Sequence, residues 1–159
     1  MKKDRTILFV CTGNTCRSYM AEVIARNYLD RLGPEAAGIK VISAGAGAAA
    51  GDPPSPAAQQ AMRELGMKLT AHRARNLTPE LLRAADVVLV MTARHKDQAL
   101  QLLPQAADKV WLLTEYGADA ATKMEILDPF GQSLEYYRTC AGQLQKHVRQ
   151  ALNRVISGS

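Results

Sequence analysis

The sequence predicts an α/β protein with three layers, α/β/α, built around a central four-stranded parallel sheet. Four short runs of apolar residues alternate along the chain with segments whose apolar residues recur every three or four positions. The short runs are apolar throughout rather than at every second residue, which is typical of strands buried on both faces. Strands that alternate with helices in this way form parallel sheets covered by helices on both sides.

The predicted strands are residues 6–11, 39–44, 86–91 and 110–113. The third, Asp86-Val-Val-Leu-Val-Met91, shows the continuous apolar character most clearly. Ligands of such sheets bind at the carboxyl ends of the strands. The segment that follows Cys11, at the end of the first strand, is therefore expected at the functional edge.

The first helix is predicted from about Tyr19 to Leu32, where Gly33-Pro34 ends it. Further helices are predicted over residues 56–65, 79–84 and 93–103. Thr78 and Thr92 are the predicted N-caps of the last two.

A long helix, with Ser133 as its predicted N-cap, is predicted to close the domain. Its apolar positions follow steps of three and four residues, which indicates a helix packed on a core. They are Leu134, Tyr137, Ala141, Leu144, Val148, Leu152 and Val155. Residues 115–127 lack such a pattern and are predicted to form a loop.

Composition restricts the classes of function. A chain of 159 residues suits one domain over residues 1–159. The net charge of +5 suits an acidic or phosphorylated substrate. The basic residues are dispersed and aromatic residues make up only 5%, so nucleic-acid binding is not expected. No apolar run is long enough for a membrane span or a signal-peptide core, so we expect a cytoplasmic monomer that does not bind membranes.

Metal and cofactor chemistry is not expected either. The cysteines and histidines lack the spacing of metal ligands. They are Cys11, Cys16 and Cys140, and His72, His95 and His147. In a cytosolic protein the three cysteines should be reduced.

The most informative segment is Cys11-Thr12-Gly13-Asn14-Thr15-Cys16-Arg17-Ser18, between the first strand and the first helix. Gly13 and Asn14 readily adopt left-handed backbone conformations. A loop curled in this way directs successive N–H groups inward as an anion nest, and the helix adds its positive dipole end. Arg17 can bind two phosphate oxygens with its planar fork. The segment therefore predicts a phosphate site with a cysteine nucleophile, rather than a structural cysteine beside a solvated arginine.

Phosphoryl transfer to Cys11 needs a thiolate, which the positive field of the loop favours, and Ser18 can donate a hydrogen bond to the sulfur. The leaving group needs a proton from a carboxylic acid at the rim of the cleft. Asp128 is the candidate acid, because Pro129 stiffens its loop. The alternative interpretation of Asp-Pro-Phe-Gly is a simple turn before the last helix.

The remaining acidic residues are not assigned to catalysis. Five have no comparable placement: Asp52, Asp86, Glu115, Asp119 and Glu125. Asp86 and Glu22 are interpreted as structural or solvated.

The glycines of residues 45–51 superficially match a dinucleotide-binding loop. Prolines and a serine interrupt the chain before any helix begins, and no acidic residue is placed to bind a ribose. A flexible loop bordering the first one is the better interpretation.

The segment from Cys11 to Ser18, together with Asp128-Pro129, resembles the signature of the low-molecular-weight protein phosphatases. Ser43-Ala44-Gly45, Ala85-Asp86, Met91-Thr92 and His95 also match family positions. The resemblance implies their Rossmann-like fold and a two-step, metal-independent mechanism. It implies that Cys11 forms a phosphocysteine, that Arg17 binds the phosphate, and that Asp128 serves as acid and then as base.

The resemblance also assigns the residues around the phosphate. It implies that Asn14, Ser43 and His72 support the loop, and that Cys16 can form a reversible disulfide with Cys11. The residues expected to contact the phosphate or the substrate are Thr12, Gly13, Asn14, Thr15, Cys16, Ser18 and Phe130.

Within the family, Thr15 is the informative position for the substrate. The sequence from Cys11 to Ser18 is identical to the motif of the bacterial protein-arginine phosphatases, whereas phosphotyrosine-specific members usually carry an aliphatic residue at this position. A hydroxyl suits a phosphoguanidinium or a bound water and would be left unpaired by a phenyl ring. Phe130 could stack on either group. Tyr19 stands where the family usually has proline, which changes the helix entry or adds an aromatic near the pocket.

We therefore expect a phosphatase of phosphorylated proteins, acting on phosphoarginine. The first alternative is the same enzyme acting mainly on phosphotyrosine. Arsenate reduction would need further cysteines that Cys140 alone does not supply. A non-catalytic phosphate-binding module would not need the nucleophile.

Overall fold

The computed structural model describes residues 4–117 and 124–158. The strands are β1 (Arg5–Cys11), β2 (Ile39–Gly45), β3 (Val87–Val90) and β4 (Val110–Leu112). They form one parallel sheet in the order β2-β1-β3-β4. The prediction of a four-stranded parallel sheet is confirmed, and each strand lies within one residue of its predicted bounds.

The helices are α1 (Arg17–Leu32), α2 (Pro56–Glu64), α3 (Pro79–Ala84), α4 (Ala93–Leu102), α5 (Leu113–Gly117) and α6 (Leu134–Ser157). Short 3-10 segments, Gly33–Ala36 and Pro104–Asp108, follow α1 and α4. None of the described helices is both long enough and apolar enough to cross a membrane.

The helix ends largely follow the local signals in the sequence. Thr78 accepts a hydrogen bond from the Leu81 N–H at 3.1 Å, and Thr92 accepts one from the His95 N–H at 3.3 Å. Ser133 occupies the N-cap position of α6, but its side chain makes no capping bond. The predicted position of this cap is therefore right, and its side-chain role is wrong.

The prediction of a loop over residues 115–127 is wrong for residues 115–117. Leu113–Gly117 forms the short helix α5 directly after β4, where Glu115 accepts a hydrogen bond from the Leu112 N–H at 3.3 Å. A helix of five residues is too short to show a helical period in the sequence. Residues 118–123, which include Asp119, lie outside the described residues. From Met124 to Asp128 the chain has neither helix nor strand, as predicted.

Two apolar clusters cover the two faces of the sheet. On one face, Phe9 and Leu89 pack with residues of α1, α2 and α6. On the other face, Leu8 and Val88 pack with residues of α3 and α4. The strands are therefore buried on both sides, which explains their continuous apolar sequence.

The strand order changes direction at β1, because the chain runs from β1 outward to β2 and later returns to β3 on the other side of β1. A crevice forms at the carboxyl end of such a sheet, between the two strands where the order reverses. The segment after Cys11 and the segment after β3 both begin at this edge.

Candidate active site

The loop from Cys11 to Ser18 wraps around the carboxyl end of β1, and β2 fixes its position. A Cβ atom on Gly45 would lie 2.4 Å from the carbonyl oxygen of Thr12, so only glycine allows β2 to approach so closely. The N–H groups of Ala46 and Gly47 donate to the carbonyls of Cys11 and Thr12. The segment after β2 therefore borders the first loop, as predicted, and α2 begins only at Pro56.

Asn14 holds the curled conformation of this loop. Its φ of 58° makes it the one non-glycine residue with a positive φ among those described. The N–H groups of residues 12–16 donate to none of the described residues, and α1 begins immediately after them. The loop and the helix N-terminus together present free donors to an anion.

Arg17 is buried and directs its guanidinium toward the same place. Nη1 donates to the carbonyl of Ile126 at 2.9 Å, and Nη2 lies 3.6 Å from Oδ2 of Asp128. Nε is buried and has no partner among the described residues. Since Nη1 is already bonded, the Nε and Nη2 edge is the fork that can bind two phosphate oxygens.

A hydrogen-bond chain fixes the proton of Ser18 toward the sulfur of Cys11. The Asn14 amide nitrogen donates to Ser18 Oγ at 2.8 Å, so the one hydroxyl proton of Ser18 is free to point elsewhere. Cys11 Sγ lies 2.9 Å from Ser18 Oγ, and the Ser18 N–H lies 3.4 Å from the same sulfur. Two donors from the start of α1 therefore face the sulfur.

The chain continues from Asn14 to Ser43 and ends on a carboxylate. The Asn14 amide donates to Ser43 Oγ at 2.9 Å, and Ser43 Oγ donates to Glu22 Oε1 at 2.6 Å. The sequence interpretation of Glu22 as a merely structural or solvated residue missed this role. Glu22 lies four residues after Ser18 and so shares its face of α1, which is the signal that would have found it.

His72 and Arg75 complete the support of Asn14 from a third segment. His72 Nε2 lies 2.7 Å from the Asn14 carbonyl oxygen, and the Arg75 N–H donates to Asn14 Oδ1 at 3.0 Å. The structure therefore brings Asn14, Ser43 and His72 together. Tyr19 is buried against the His72 ring, with centroids 5.0 Å apart, and is absent from the lining of the cleft.

His95, at the start of α4, contacts the loop from the side of β3. Its Nε2 lies 2.9 Å from Thr12 Oγ1 and its Nδ1 lies 3.1 Å from Thr92 Oγ1. Burial and then the nearby positive charge of Arg17 lower the pKa of His95 to about 4. The His95 imidazole is therefore uncharged near neutral pH, and it connects Thr12 to Thr92. Its place just after β3, at the carboxyl edge, is the sequence signal for this contact.

Asp128 faces Arg17 from the segment before α6. Its Oδ1 accepts a hydrogen bond from the Phe130 N–H at 3.0 Å, and its Oδ2 faces the Arg17 guanidinium. Ile126, just before it, is fully buried and donates its N–H to the carbonyl of Met91 at 3.0 Å. The end of β3 and Arg17 thus hold Asp128 at the rim.

A cleft of about 280 Å³ unites these groups. Cys11 and Arg17 lie at its base, Thr15 and Asp128 line it, and Phe130 stands at the rim with 71% of its surface exposed. Other lining residues are Thr12, Gly13, Cys16, Gly47, Ala49 and Asp52. Asp52 was not assigned to the site from the sequence, although it follows β2 at the carboxyl edge.

Three cysteines are free in the structure, and all are buried. Cys16 lies 3.4 Å from the hydroxyl of Tyr137, which also receives a hydrogen bond from Ser55 at 3.3 Å. Burial raises the pKa of the Cys16 thiol, and it raises that of Cys140 to about 12. Both thiols are therefore protonated near neutral pH.

Two of the remaining carboxylates have structural partners. Asp86 accepts a hydrogen bond from the Thr6 N–H at 2.7 Å, and Glu125 accepts one from the Ala93 N–H at 2.7 Å.

Among the described residues, no group of three histidine, cysteine or acidic side chains is placed to hold a metal ion. The arrangement instead suits phosphoryl transfer to a sulfur, with anion donors below and a carboxylate above.

Known proteins are similar to this chain in both sequence and fold. The family model described as low molecular weight phosphotyrosine protein phosphatase matches residues 6–157. A protein-arginine-phosphatase of Geobacillus stearothermophilus is 40% identical over 139 residues, which is 87% of this chain and 88% of the relative. A probable low molecular weight protein-tyrosine-phosphatase of Ralstonia nicotianae, EpsP, is 34% identical over 151 residues, which is 95% of this chain and 96% of the relative.

A solved structure adds a chemical detail. It is a cysteine-to-serine variant of the arginine phosphatase YwlE with a phosphorylated active-site serine. It matches with a TM-score of 0.87 at 36% identity, over 94% of this chain and 95% of its own. The similarity therefore extends over nearly the whole chain.

Proposed function

Because the chain belongs to the low molecular weight phosphotyrosine protein phosphatase family, we propose that it removes phosphate from phosphoarginine in proteins. The roles of the site residues are part of this proposal. The observation that carries it is the single cleft in which the Cys11 sulfur, the Arg17 guanidinium and the Asp128 carboxylate meet. Binding of phosphate alone would need Arg17 and the loop amides, but neither a nucleophile nor an acid.

In the first step the Cys11 thiolate attacks the phosphorus, so the S–P bond forms and the P–N bond to the guanidino group breaks. The Arg17 fork and the N–H groups of residues 12–16 bind the non-bridging oxygens, where charge is concentrated. Asp128 donates its proton to the leaving nitrogen, which is strongly basic and cannot leave as an anion.

In the second step the Asp128 carboxylate takes a proton from water, which attacks the phosphorus and breaks the S–P bond. Phosphate is released, and the sulfur leaves as a thiolate. The Ser18 hydroxyl, 2.9 Å from the sulfur and directed there by Asn14, stabilises this leaving group.

Thr15 supports the choice of phosphoarginine. It lines the cleft beside Asp128, and a Cβ on Gly13 would lie 3.5 Å from its hydroxyl, so the hydroxyl lies close to the loop backbone. A guanidino N–H, directly or through a water molecule, can pair with this hydroxyl. Within the protein the hydroxyl has a weak partner, the Cys16 sulfur at 3.8 Å, and a phenyl ring would offer it no stronger one.

Asp52 gives independent support. It lines the same cleft, and none of the described residues forms an ion pair with it. Two hydrogen bonds hold its backbone, from its own N–H to the Ala49 carbonyl and from the Ala74 N–H to its carbonyl. A second carboxylate beside a phosphate site weakens the binding of a substrate that carries only the negative phosphate. It strengthens the binding of a substrate that also carries a positive guanidinium.

Phosphotyrosine is the second candidate substrate. The exposed ring of Phe130 at the rim can stack on a phenol, and EpsP of Ralstonia nicotianae is named a tyrosine phosphatase.

We further propose that residues 1–159 are a single domain. We also propose that the protein acts as a cytoplasmic monomer on phosphorylated proteins, without nucleic-acid or membrane partners.

The covalent step is tested by acid-quenching the wild-type reaction on a phosphoarginine peptide and locating the phosphoryl group by mass spectrometry. We expect it on Cys11. Cys11→Ser should lose turnover, retain binding of inorganic phosphate and keep its circular dichroism spectrum. Undiminished turnover by a folded Cys11→Ser variant would refute the phosphocysteine mechanism.

A further inference from the structure

Large apolar side chains are exposed mainly in the segment that contains Asp128 and leads into α6. Four of the exposed large hydrophobic residues among those described lie between residues 124 and 136: Met124, Leu127, Phe130 and Tyr136. Leu127 is 74% exposed and Tyr136 is 60% exposed. A concentration of exposed apolar surface beside an active site indicates a surface that binds a partner.

A groove of about 250 Å³ lies within this surface, and its lining includes Leu127, Pro129, Tyr136 and Cys140. We call it the apolar groove. The Cys140 thiol has its pKa raised to about 12 by burial and so contributes an uncharged wall. Since Asp128 lines both the apolar groove and the catalytic cleft, the two cavities are separated by the width of one residue.

A phosphorylated side chain that reaches Cys11 leaves its own backbone at the rim of the cleft. In an extended peptide, side chains two positions apart lie on the same face, about 7 Å from one another. One residue of the substrate, two positions from the phosphorylated residue, would therefore lie over the apolar groove. Because the two cavities are adjacent, the substrate chain is favoured as the occupant of the apolar groove.

We propose that the apolar groove binds an apolar side chain of the substrate polypeptide, two positions from the phosphorylated residue. This inference rests on the proposed function, because the cleft has to hold the phosphorylated side chain first. The groove would make the enzyme prefer substrates that carry an apolar residue near the phosphorylated one, a selectivity that the small phosphate site alone does not provide. Burial of a leucine side chain there is expected to raise kcat/KM about tenfold.

The test uses phosphoarginine peptides with leucine or serine two positions before or after the phosphorylated residue. We expect leucine to raise kcat/KM about tenfold on one side, and Tyr136→Ser to abolish this preference. Leu102→Ser is the matched control, because Leu102 is exposed at the end of α4 and lies outside the apolar groove. Equal kcat/KM for leucine and serine at both positions would overturn the inference.

Two further measurements separate this inference from its alternatives. All variants should hydrolyse p-nitrophenyl phosphate at the wild-type rate, since this substrate does not reach the groove. If the wild-type protein itself does not hydrolyse p-nitrophenyl phosphate, the proposed phosphatase function is refuted. If only phosphotyrosine peptides are hydrolysed, the same leucine and serine pairs in that series decide the inference. Dimerisation that Tyr136→Ser abolishes in analytical ultracentrifugation would assign the groove to a second copy and contradict it.

Discussion

The Ser18 hydroxyl lies 2.9 Å from the sulfur of Cys11, and the Asn14 amide, 2.8 Å from the same hydroxyl, leaves its proton free to point at the sulfur. The chain of hydrogen bonds ends on Glu22, which accepts from Ser43. The Asn14 amide donates both to Ser18 and to Ser43, so the branch that ends on Glu22 fixes the orientation of the amide and thereby that of the Ser18 hydroxyl. The support of the loop therefore also prepares the sulfur as a leaving group.

Ser18→Ala is expected to lower kcat by about 10- to 100-fold, because a hydrogen bond to a charged group contributes about 1.5–3 kcal/mol. The loss should fall mainly on hydrolysis of the phosphocysteine, so the intermediate accumulates in rapid-quench experiments. Ser157→Ala is the control, since Ser157 donates to the Arg154 carbonyl at the end of α6. Unchanged kcat for Ser18→Ala would remove the hydroxyl from the mechanism.

Asp128→Asn is expected to slow hydrolysis of substrates with basic leaving groups by about 10²–10⁴-fold, and to slow p-nitrophenyl phosphate far less. An activated phenolate leaves without a proton, whereas a guanidino nitrogen does not. Asp86→Asn serves as the control, because Asp86 bonds the backbone of Thr6 far from the cleft. Equal slowing of both substrates by Asp128→Asn would exclude Asp128 as the acid.

His95 makes stability depend on pH in a defined direction. Its folded pKa of about 4 lies below the ordinary value of 6.5, so between these values the unfolded chain binds the proton and the folded protein does not. The free energy of unfolding should therefore fall as the pH decreases through this window, by about 3 kcal/mol. Below it, this contribution should level off.

Urea unfolding of wild type and His95→Gln from pH 6.5 down to about 4 measures this contribution. The difference between the two proteins isolates His95 from His147, whose pKa is also lowered, by burial and by Lys146. Parallel stability curves would show that His95 is not held neutral in the folded protein.

Thr15→Val keeps the shape of the side chain and removes the hydroxyl that lines the cleft. We expect the ratio of phosphotyrosine to phosphoarginine kcat/KM to rise about tenfold, because the ring no longer covers a hydroxyl that is bonded only weakly, to Cys16 Sγ at 3.8 Å. Thr15→Ile should move the ratio in the same direction. Thr114→Val, at a buried threonine outside the cleft, is the control. If neither Thr15 variant changes the ratio, this position does not select the substrate.

Local signals predicted most of the fold. The apolar runs gave the four strands, and Thr78 and Thr92 gave two helix starts, because each of these patterns spans only a few residues. The helix α5 was missed because five residues show no period. The side-chain cap expected from Ser133 is replaced by backbone bonds from Tyr136 and Tyr137 to the Ser133 carbonyl.

Cys11, Arg17 and Ser18 were identified together because they lie within one segment of eight residues, whereas Asp128 was identified from its own Asp-Pro pair. The groups that the sequence interpretation missed act across long separations. Glu22 meets Ser43 through the packing of α1 on β2, and Asp52 reaches the cleft through the segment after β2. The spacing of four residues places Glu22 on the same face of α1 as Ser18, but its contact with Ser43 depends on tertiary packing. The approach of Asp52 to the cleft follows only when residues at the carboxyl edge of the sheet are considered together.

The measurement that tests the central claim most directly is kcat/KM of the wild-type protein on matched phosphoarginine and phosphotyrosine peptides, side by side. With Thr15 and Asp52 lining the cleft, we predict a higher kcat/KM for the phosphoarginine peptide. Phosphate release from the phosphotyrosine peptide alone would contradict the proposed substrate while leaving the cysteine mechanism in place.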